Sequence, residues 1–171
     1  KPILVGPGIK TGLNILYDNP KELGADRIVN AVAAIAEYDC PLIIIDMGTA
    51  TTLSVINRNK QYLGGIIMPG VGVSHDSLIA RTAQLPKIAL EPPKHVIGKN
   101  TIDCMKSGLL FGTACSLDGL IDRIQAELGE PCTVVATGGL ATVIVPLCKH
   151  PMILDDDLLL KGLMILYHRN Q

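Results

Sequence analysis

The stretch Leu42-Ile43-Ile44-Ile45-Asp46-Met47-Gly48-Thr49-Ala50-Thr51-Thr52 decides the fold. Four consecutive aliphatic side chains, three of them β-branched, predict a buried strand, and the run ends on a carboxylate, a Gly and hydroxyls. Immediately after it, Thr51 to Ile56 and Tyr62 to Ile67 read as two more strands with a polar turn, Asn57 to Gln61, between them. Residues 42–67 are therefore expected to form a three-stranded meander.

Outward from the meander, strand and helix signals alternate, which is the pattern of a mixed α/β domain. On the amino-terminal side, residues 20–38 predict helix: Asn19 can cap, Pro20 suits a first turn, and Leu23, Ile28, Val29, Val32 and Ile35 form an apolar stripe. Gly24 divides this stretch into a short turn and a longer helix starting near Ala25, and further upstream Ile3-Leu4-Val5 is a strand-like run. On the other side, a Gly-rich segment from Pro69 leads into a helix through about Leu85, and Pro86, Pro92 and Pro93 then enforce a loop to about Lys99. Asn100 or Thr101 caps a long helix that Gly129 stops after Leu128. Gly108, Gly112 and Gly119 inside it cost roughly 1 kcal/mol each relative to Ala, which implies that something packs closely there. A strand from Cys132 to Ala136 and helices from Leu140 to Cys148 and from Asp155 to His168 complete the reading. No linker or low-complexity segment divides the chain.

Composition narrows the function classes. The 171 residues carry 15 basic and 16 acidic side chains without a block of like charge, so neither a nucleic-acid groove nor an anionic membrane surface is a natural partner. Aromatics make up 3%, with one Phe and no Trp, which leaves little for base-stacking platforms and makes the core aliphatic. No apolar run reaches the roughly 18 residues of a membrane-spanning helix. The five cysteines, Cys40, Cys104, Cys115, Cys132 and Cys148, are odd in number and form no CxxC pair, so they read as reduced, structural, buried thiols of a cytoplasmic protein.

Three segments could carry chemistry. In Asp46-Met47-Gly48-Thr49-Ala50-Thr51-Thr52 the Gly lets backbone amides approach an anion, the hydroxyls can donate to phosphate oxygens, and the carboxylate can hold a cation. A hairpin turn capped by Asp is the plainer explanation. Val134-Val135-Ala136-Thr137-Gly138-Gly139 is a second strand-to-Gly junction and leads into a helix amino terminus that favours anions, although an ordinary strand-to-helix turn explains it as well. Two such junctions in one small α/β domain favour a nucleotide site, because ligands of such sheets lie beyond the carboxyl ends of the strands. Neither is a Walker or dinucleotide fingerprint. In Gly24-Ala25-Asp26-Arg27 the Asp falls in the first turn of a helix, where it can accept a proton from a hydroxyl substrate or simply cap, and Arg27 can meet anionic oxygens. Asp155 to Asp157 read as an acidic helix start, and His75, His95, His150 and His168 have no metal-ligand spacing.

Taken together, Tyr17-Asp18-Asn19-Pro20, Glu22 to Ala31, Asp46 to Thr52, Gly64 to Gly70, Leu78 to Pro86, Gly98 to Thr101 and Ser107-Gly108 closely resemble the type III pantothenate kinases, in order and over essentially the whole chain. The resemblance implies a ribonuclease-H-like fold of the actin, Hsp70 and sugar-kinase type, and transfer of the ATP γ-phosphate to pantothenate as the first step of coenzyme A synthesis. It implies Asp26 as general base, with Tyr17, Gly24, Ala25, Asp26, Arg27 and Thr101 lining the pantothenate pocket. Asp46 would ligate a monovalent cation, K⁺ or NH₄⁺, while Gly48, Thr49, Gly138 and Gly139 would contact ATP, which brings Mg²⁺. Family members are homodimers, so the helix glycines would serve a dimer seam. The family's first strand carries an Asp-x-Gly-Asn-Thr phosphate motif that has no counterpart in this sequence. Residues 1–38 accordingly read as the end of a first lobe with the substrate-site helix, and 39–171 as the second lobe. The phosphate-gripping amino-terminal lobe is expected to be missing, and the 171 residues alone to bind ATP poorly. A non-catalytic homologue that binds a ligand or regulates is the alternative reading.

Overall fold

The computed structural model describes residues 2–171, so only Lys1 lies outside the described residues. Six strands form one mixed sheet in the order β1-β4-β3-β2-β5-β6. At its centre β2 (Leu42–Met47) runs antiparallel to β3 (Ala50–Ile56), which pairs antiparallel with β4 (Gln61–Pro69), and this is the expected meander. On its other side β2 runs parallel to β5 (Thr133–Thr137). Two-residue strands close the edges: β1 (Asn14–Ile15) beside β4 and β6 (Ile153–Leu154) beside β5, both parallel. They are too short to leave a periodic signal, and Ile3-Leu4-Val5 forms no strand.

Period-two alternation sends the side chains of β2 into two cores. Ile43, Ile45 and Met47 join Leu53, Val55, Val134 and Ala136 on one face, under Ala114, Leu117, Ile121 and Ile124 of helix α4 (Gly112–Leu128) and under α5 (Ala141–Ile144). Leu42 and Ile44 join Ile56, Tyr62 and Val135 on the other, under Ala31, Ala33 and Ala34 of α1 (Ala25–Glu37) and Leu158 at the start of α6 (Leu158–Arg169). Each fully buried aliphatic side chain here contributes roughly 1.5–3 kcal/mol. Sequence spacing gave α1 its start near Ala25 correctly, after a single 3₁₀ turn at Pro20–Glu22 capped by Asn19. A β-carbon at Gly162 would lie 2.1 Å from the Val29 carbonyl oxygen, so the absence of a side chain at 162 lets α6 cross α1 at close range.

Helix ends differ from expectation in physical detail. Helix α2 (Val71–Arg81) stops short of Leu85 because the backbone turns extended at Thr82, whose hydroxyl donates to the Leu78 carbonyl. Asn100 caps α3 (Thr101–Lys106), accepting from the Asp103 amide at 2.8 Å, and a π turn at Ser107–Phe111 carries the helix on into α4. It ends at Gly129, which adopts φ 76°. No atom of the described chain would touch a β-carbon at Gly108, Gly112 or Gly119, so the close packing inferred from these glycines does not occur within one chain. After α5, Pro146 shifts the helix into a 3₁₀ turn at Val145–Leu147. The five cysteines are unpaired, but none shows the full burial expected: Cys104 and Cys115 are exposed on α3 and α4, and Cys40, Cys132 and Cys148 are half-buried. Among the described residues no helix is long and apolar enough to cross a membrane.

The carboxyl end of α1 is tied to α6 by charge. The Tyr38 hydroxyl donates to Asp155 at 2.6 Å, and Lys161 donates to Asp155 at 2.9 Å and to Glu37 at 2.8 Å. Burial pushes the Asp155 carboxyl up, but the Tyr38 and Lys161 hydrogen bonds outweigh it and hold the group below its usual range. The hydrogen bond to Asp155 in turn raises Tyr38 to about 12. A raised folded-state value stabilises fully below the unfolded value near 10 and is lost as pH climbs through the folded one. Tyr38→Phe is therefore expected to lower unfolding free energy by about 1–2 kcal/mol at pH 7. It should also flatten the loss of stability between pH 10 and about 12, both read from urea unfolding curves.

Candidate functional site

Strand pairing assembles the site. Asp46 sits opposite Thr137 across the parallel β2–β5 pair and opposite Thr52 across the antiparallel β2–β3 pair. Alternation puts these three on the face of Leu42 and Ile44, toward α1. Beyond them, the turn between β2 and β3 exposes Gly48 and Thr49, with the Gly48 amide donating to the Ala50 carbonyl at 3.2 Å. The Thr49 carbonyl accepts from the Gly70 amide at 3.1 Å, which fastens this turn to the start of α2. Gly138 lies against β2: its φ is 102°, and a β-carbon there would stand 2.6 Å from the Met47 backbone. The two strand-to-Gly junctions singled out in the sequence thus lie side by side at one end of the sheet.

Helix α1 brings the third segment to the same end. Asp26 is exposed in its first turn, and Gly24 caps the helix with no side chain of its own. A β-carbon at Gly24 would meet Asp26 Oδ1 at 2.8 Å and Arg27 Nε at 3.6 Å, so the bare backbone at 24 makes room for both functional groups. One turn further on, Asn30 donates Nδ2–H to Asp46 Oδ2 at 3.0 Å. Desolvation pushes the Asp46 carboxyl above its ordinary value, the Asn30 hydrogen bond pulls it down, and the negative charge of Asp26 adds to the rise. Both carboxylates therefore act within one electrostatic neighbourhood. Tyr17 packs edge-on against Tyr62 with ring centroids 6.4 Å apart, and its ring lies 3.9 Å from a β-carbon at Gly64. Tyr62 shares a 2.7 Å hydrogen bond with Ser54, and the charges of Arg27 and Asp26 reach it as well.

Thr101 lies elsewhere. It rims a groove of about 940 Å³ between α2 and α3, floored by Val73, Leu78, Met105 and Leu109, in the layer on the opposite side of the sheet from α1. Spacing arguments assigned no role to Asn30, and they placed Thr52 and Thr137 only within their Gly-containing segments, not beside Asp46. The period-two reading of β2, carried to its neighbours, would have put the two threonines beside Asp46, whereas the helix-to-strand contact of Asn30 depends on how α1 is laid across the sheet.

A family model described as type III pantothenate kinase matches residues 1–123. A type III pantothenate kinase of Geobacillus sp. (strain WCH70) is 54% identical over 170 residues, and one of Bacillus cytotoxicus is 51% identical over 170 residues. Each alignment covers 99% of this chain, which spans 66% and 65% of the length of these relatives. Among solved structures, a conserved protein of the Baf family of transcriptional activators from Campylobacter jejuni superposes with a TM-score of 0.64 at 23% identity, over 92% of this chain and 68% of that one. The activator of 2-hydroxyisocaproyl-CoA dehydratase from Clostridium difficile, with bound ADPNP, superposes with a TM-score of 0.51 at 16% identity, over 82% and 64%. These likenesses bear on the fold alone, which is the expected ribonuclease-H-like one: a mixed sheet with its antiparallel meander and flanking helices.

The tight contact at Gly138 gives a paired test of the junction. Gly138→Ala combines a strained φ with a clash on the Met47 backbone and is expected to cost at least about 2 kcal/mol of stability. Gly139→Ala, where a β-carbon meets nothing within 4 Å, should stay within about 0.5 kcal/mol of wild type in the same thermal unfolding measurement.

Proposed function

The chain belongs to the type III pantothenate kinase family, and we propose that it forms the greater part of an enzyme phosphorylating pantothenate to 4'-phosphopantothenate with ATP, the opening step of coenzyme A synthesis. The observation that carries this reading is the meeting of three segments at one end of the sheet: the Gly48-Thr49 turn, the Gly138-Gly139 turn, and the start of α1 with Asp26.

In this reading the pantothenate hydroxyl oxygen attacks the γ-phosphorus, the bond from phosphorus to the ADP oxygen breaks, and the hydroxyl proton passes to the Asp26 carboxylate. Asp26 suits that task because it stands in the first turn of α1, open to solvent and within reach of an incoming hydroxyl. Tyr17, Gly24, Ala25 and Arg27 line the pantothenate side, where Arg27 can pair with the substrate carboxylate. Gly48 and Thr49, with Gly138 and Gly139, take the ATP side through backbone amides and a hydroxyl. Asp46 and the neighbouring Asn30 oxygen are hard donors with a single negative charge, which fits a monovalent cation such as K⁺ or NH₄⁺. Such an ion would offset phosphate charge, and Mg²⁺ is read as arriving on the nucleotide.

Thr101 can join this pocket only from a second copy of the chain, since its own layer lies across the sheet from α1. A homodimer is accordingly part of the proposal, with the exposed face of Gly108, Gly112 and Gly119 as its seam. The division at residue 38, between the end of a first lobe and a second lobe, and a cytoplasmic location belong to the same reading. Nucleic acid and membrane are not partners in it.

The test is a coupled assay of the full-length protein with pantothenate, ATP, Mg²⁺ and K⁺. Asp26→Asn is expected to reduce kcat by at least about 100-fold. Its urea midpoint should remain that of wild type, because the side chain is exposed. Undiminished turnover in this variant would remove Asp26 from the base role, and absence of phosphopantothenate in the wild-type reaction would overturn the enzyme reading.

A further inference from the structure

Asn30 does more than fill a helix position. It is 2% exposed on α1, four residues after Asp26 and hence on the same helix face, and its amide nitrogen is committed to Asp46. With Nδ2 turned to the carboxylate, Oδ1 is left buried with no hydrogen-bond donor among the described residues, and it is the one such side-chain atom there. A buried carbonyl oxygen without a partner is destabilising, and protein interiors retain one where an ion, water or ligand supplies the missing contact. A carboxylate with a neutral amide oxygen beside it offers two hard oxygens but only one negative charge. Divalent sites are built by gathering further carboxylates, and no group of three His, Cys, Asp or Glu converges among the described residues.

We propose that Asn30 is a positioning residue that holds Asp46 in one orientation and adds its own Oδ1 as a second, neutral oxygen donor, so that the pair accepts a monovalent rather than a divalent cation. The inference rests on the reading of Asp46 as the cation ligand. It adds to that reading the residue that sets the charge of the site. Because Asn30 also lies one turn from Asp26, the same amide keeps the base-bearing helix in register with the tip of β2.

The experiment measures the thermal midpoint of the full-length protein against KCl concentration at constant ionic strength, with tetramethylammonium chloride as the balancing salt. Wild type should gain stability with K⁺. In Asn30→Leu the K⁺ concentration for half the gain should rise about 10–100-fold, with the K⁺ activation curve of turnover moving alike and the KM for pantothenate little changed. In Asn30→Asp, two adjacent carboxylates should instead capture Mn²⁺, seen as loss of the free-ion electron paramagnetic resonance signal at concentrations where wild type leaves it intact. Should Asn30→Leu not fold, Asn30→Ser and Asn30→Asp carry the comparison. A folded variant with an unchanged K⁺ midpoint and no gain of Mn²⁺ overturns the role of Asn30 alone. A wild-type protein indifferent to K⁺ removes the cation role of Asp46 and this proposal with it.

Discussion

Everything in this molecule hangs on β2 being buried on both faces while ending in a carboxylate. Leu42 to Ile45 are almost fully enclosed, and only at Asp46 does the strand emerge far enough to meet water. A central strand so apolar can only be satisfied with neighbours on both edges and layers on both faces, which dictates the β3 and β5 pairings and the two helical covers. The parallel partner matters most for chemistry. Because β2 and β5 point the same way, their carboxyl ends stop together, and the turns that follow them lie at one edge.

The helical cover then decides where functional side chains fall. Helix α1 is fixed at both ends by different physics. At its start the Asn30 amide reaches Asp46, and at its close Tyr38, Glu37, Asp155 and Lys161 form a network with α6. Beside Asn30, the missing side chain of Gly162, whose β-carbon would run into the Val29 carbonyl, sets how near the two helices lie. A helix anchored in this way fixes where its first turn, with Asp26, lies relative to the tip of β2.

Much of this was legible in the sequence. The meander, the break at Gly24, the Asn100 cap and the Gly129 stop are all written in local signals: β-branching, turn residues and capping chemistry. Asp26, Asp46, Gly48 and Gly138 stood out because a carboxylate or Gly at the end of a regular element is chemically conspicuous. What escaped was non-local. β1 and β6 are two residues each and exist only because a longer strand offers them an edge, and Asn30 resembles any polar residue in a helix until the helix is laid on the sheet. Gly162 in α6 carries no local mark of the crossing it permits, and the π turn at Ser107–Phe111 interrupts a helix whose apolar spacing runs through it unbroken.

The polar end of β2 also explains why so plain a composition suffices. A chain with near-zero net charge and few aromatics cannot attract a charged ligand by a broad field or clamp it by stacking. It can do so locally, where the interior of the sheet lowers the dielectric around a few fixed dipoles. Burial raises the Asp46 carboxyl, so the ionised group is held at a cost, and the Asn30 hydrogen bond offsets only part of it. Among the described residues no Lys, Arg or His forms an ion pair with Asp46, so no internal positive charge offsets the rest. The Asp46 carboxylate, held by the Asn30 amide nitrogen, and the amide oxygen left without a donor thus belong to one contact between α1 and β2 rather than being separate imperfections in the packing.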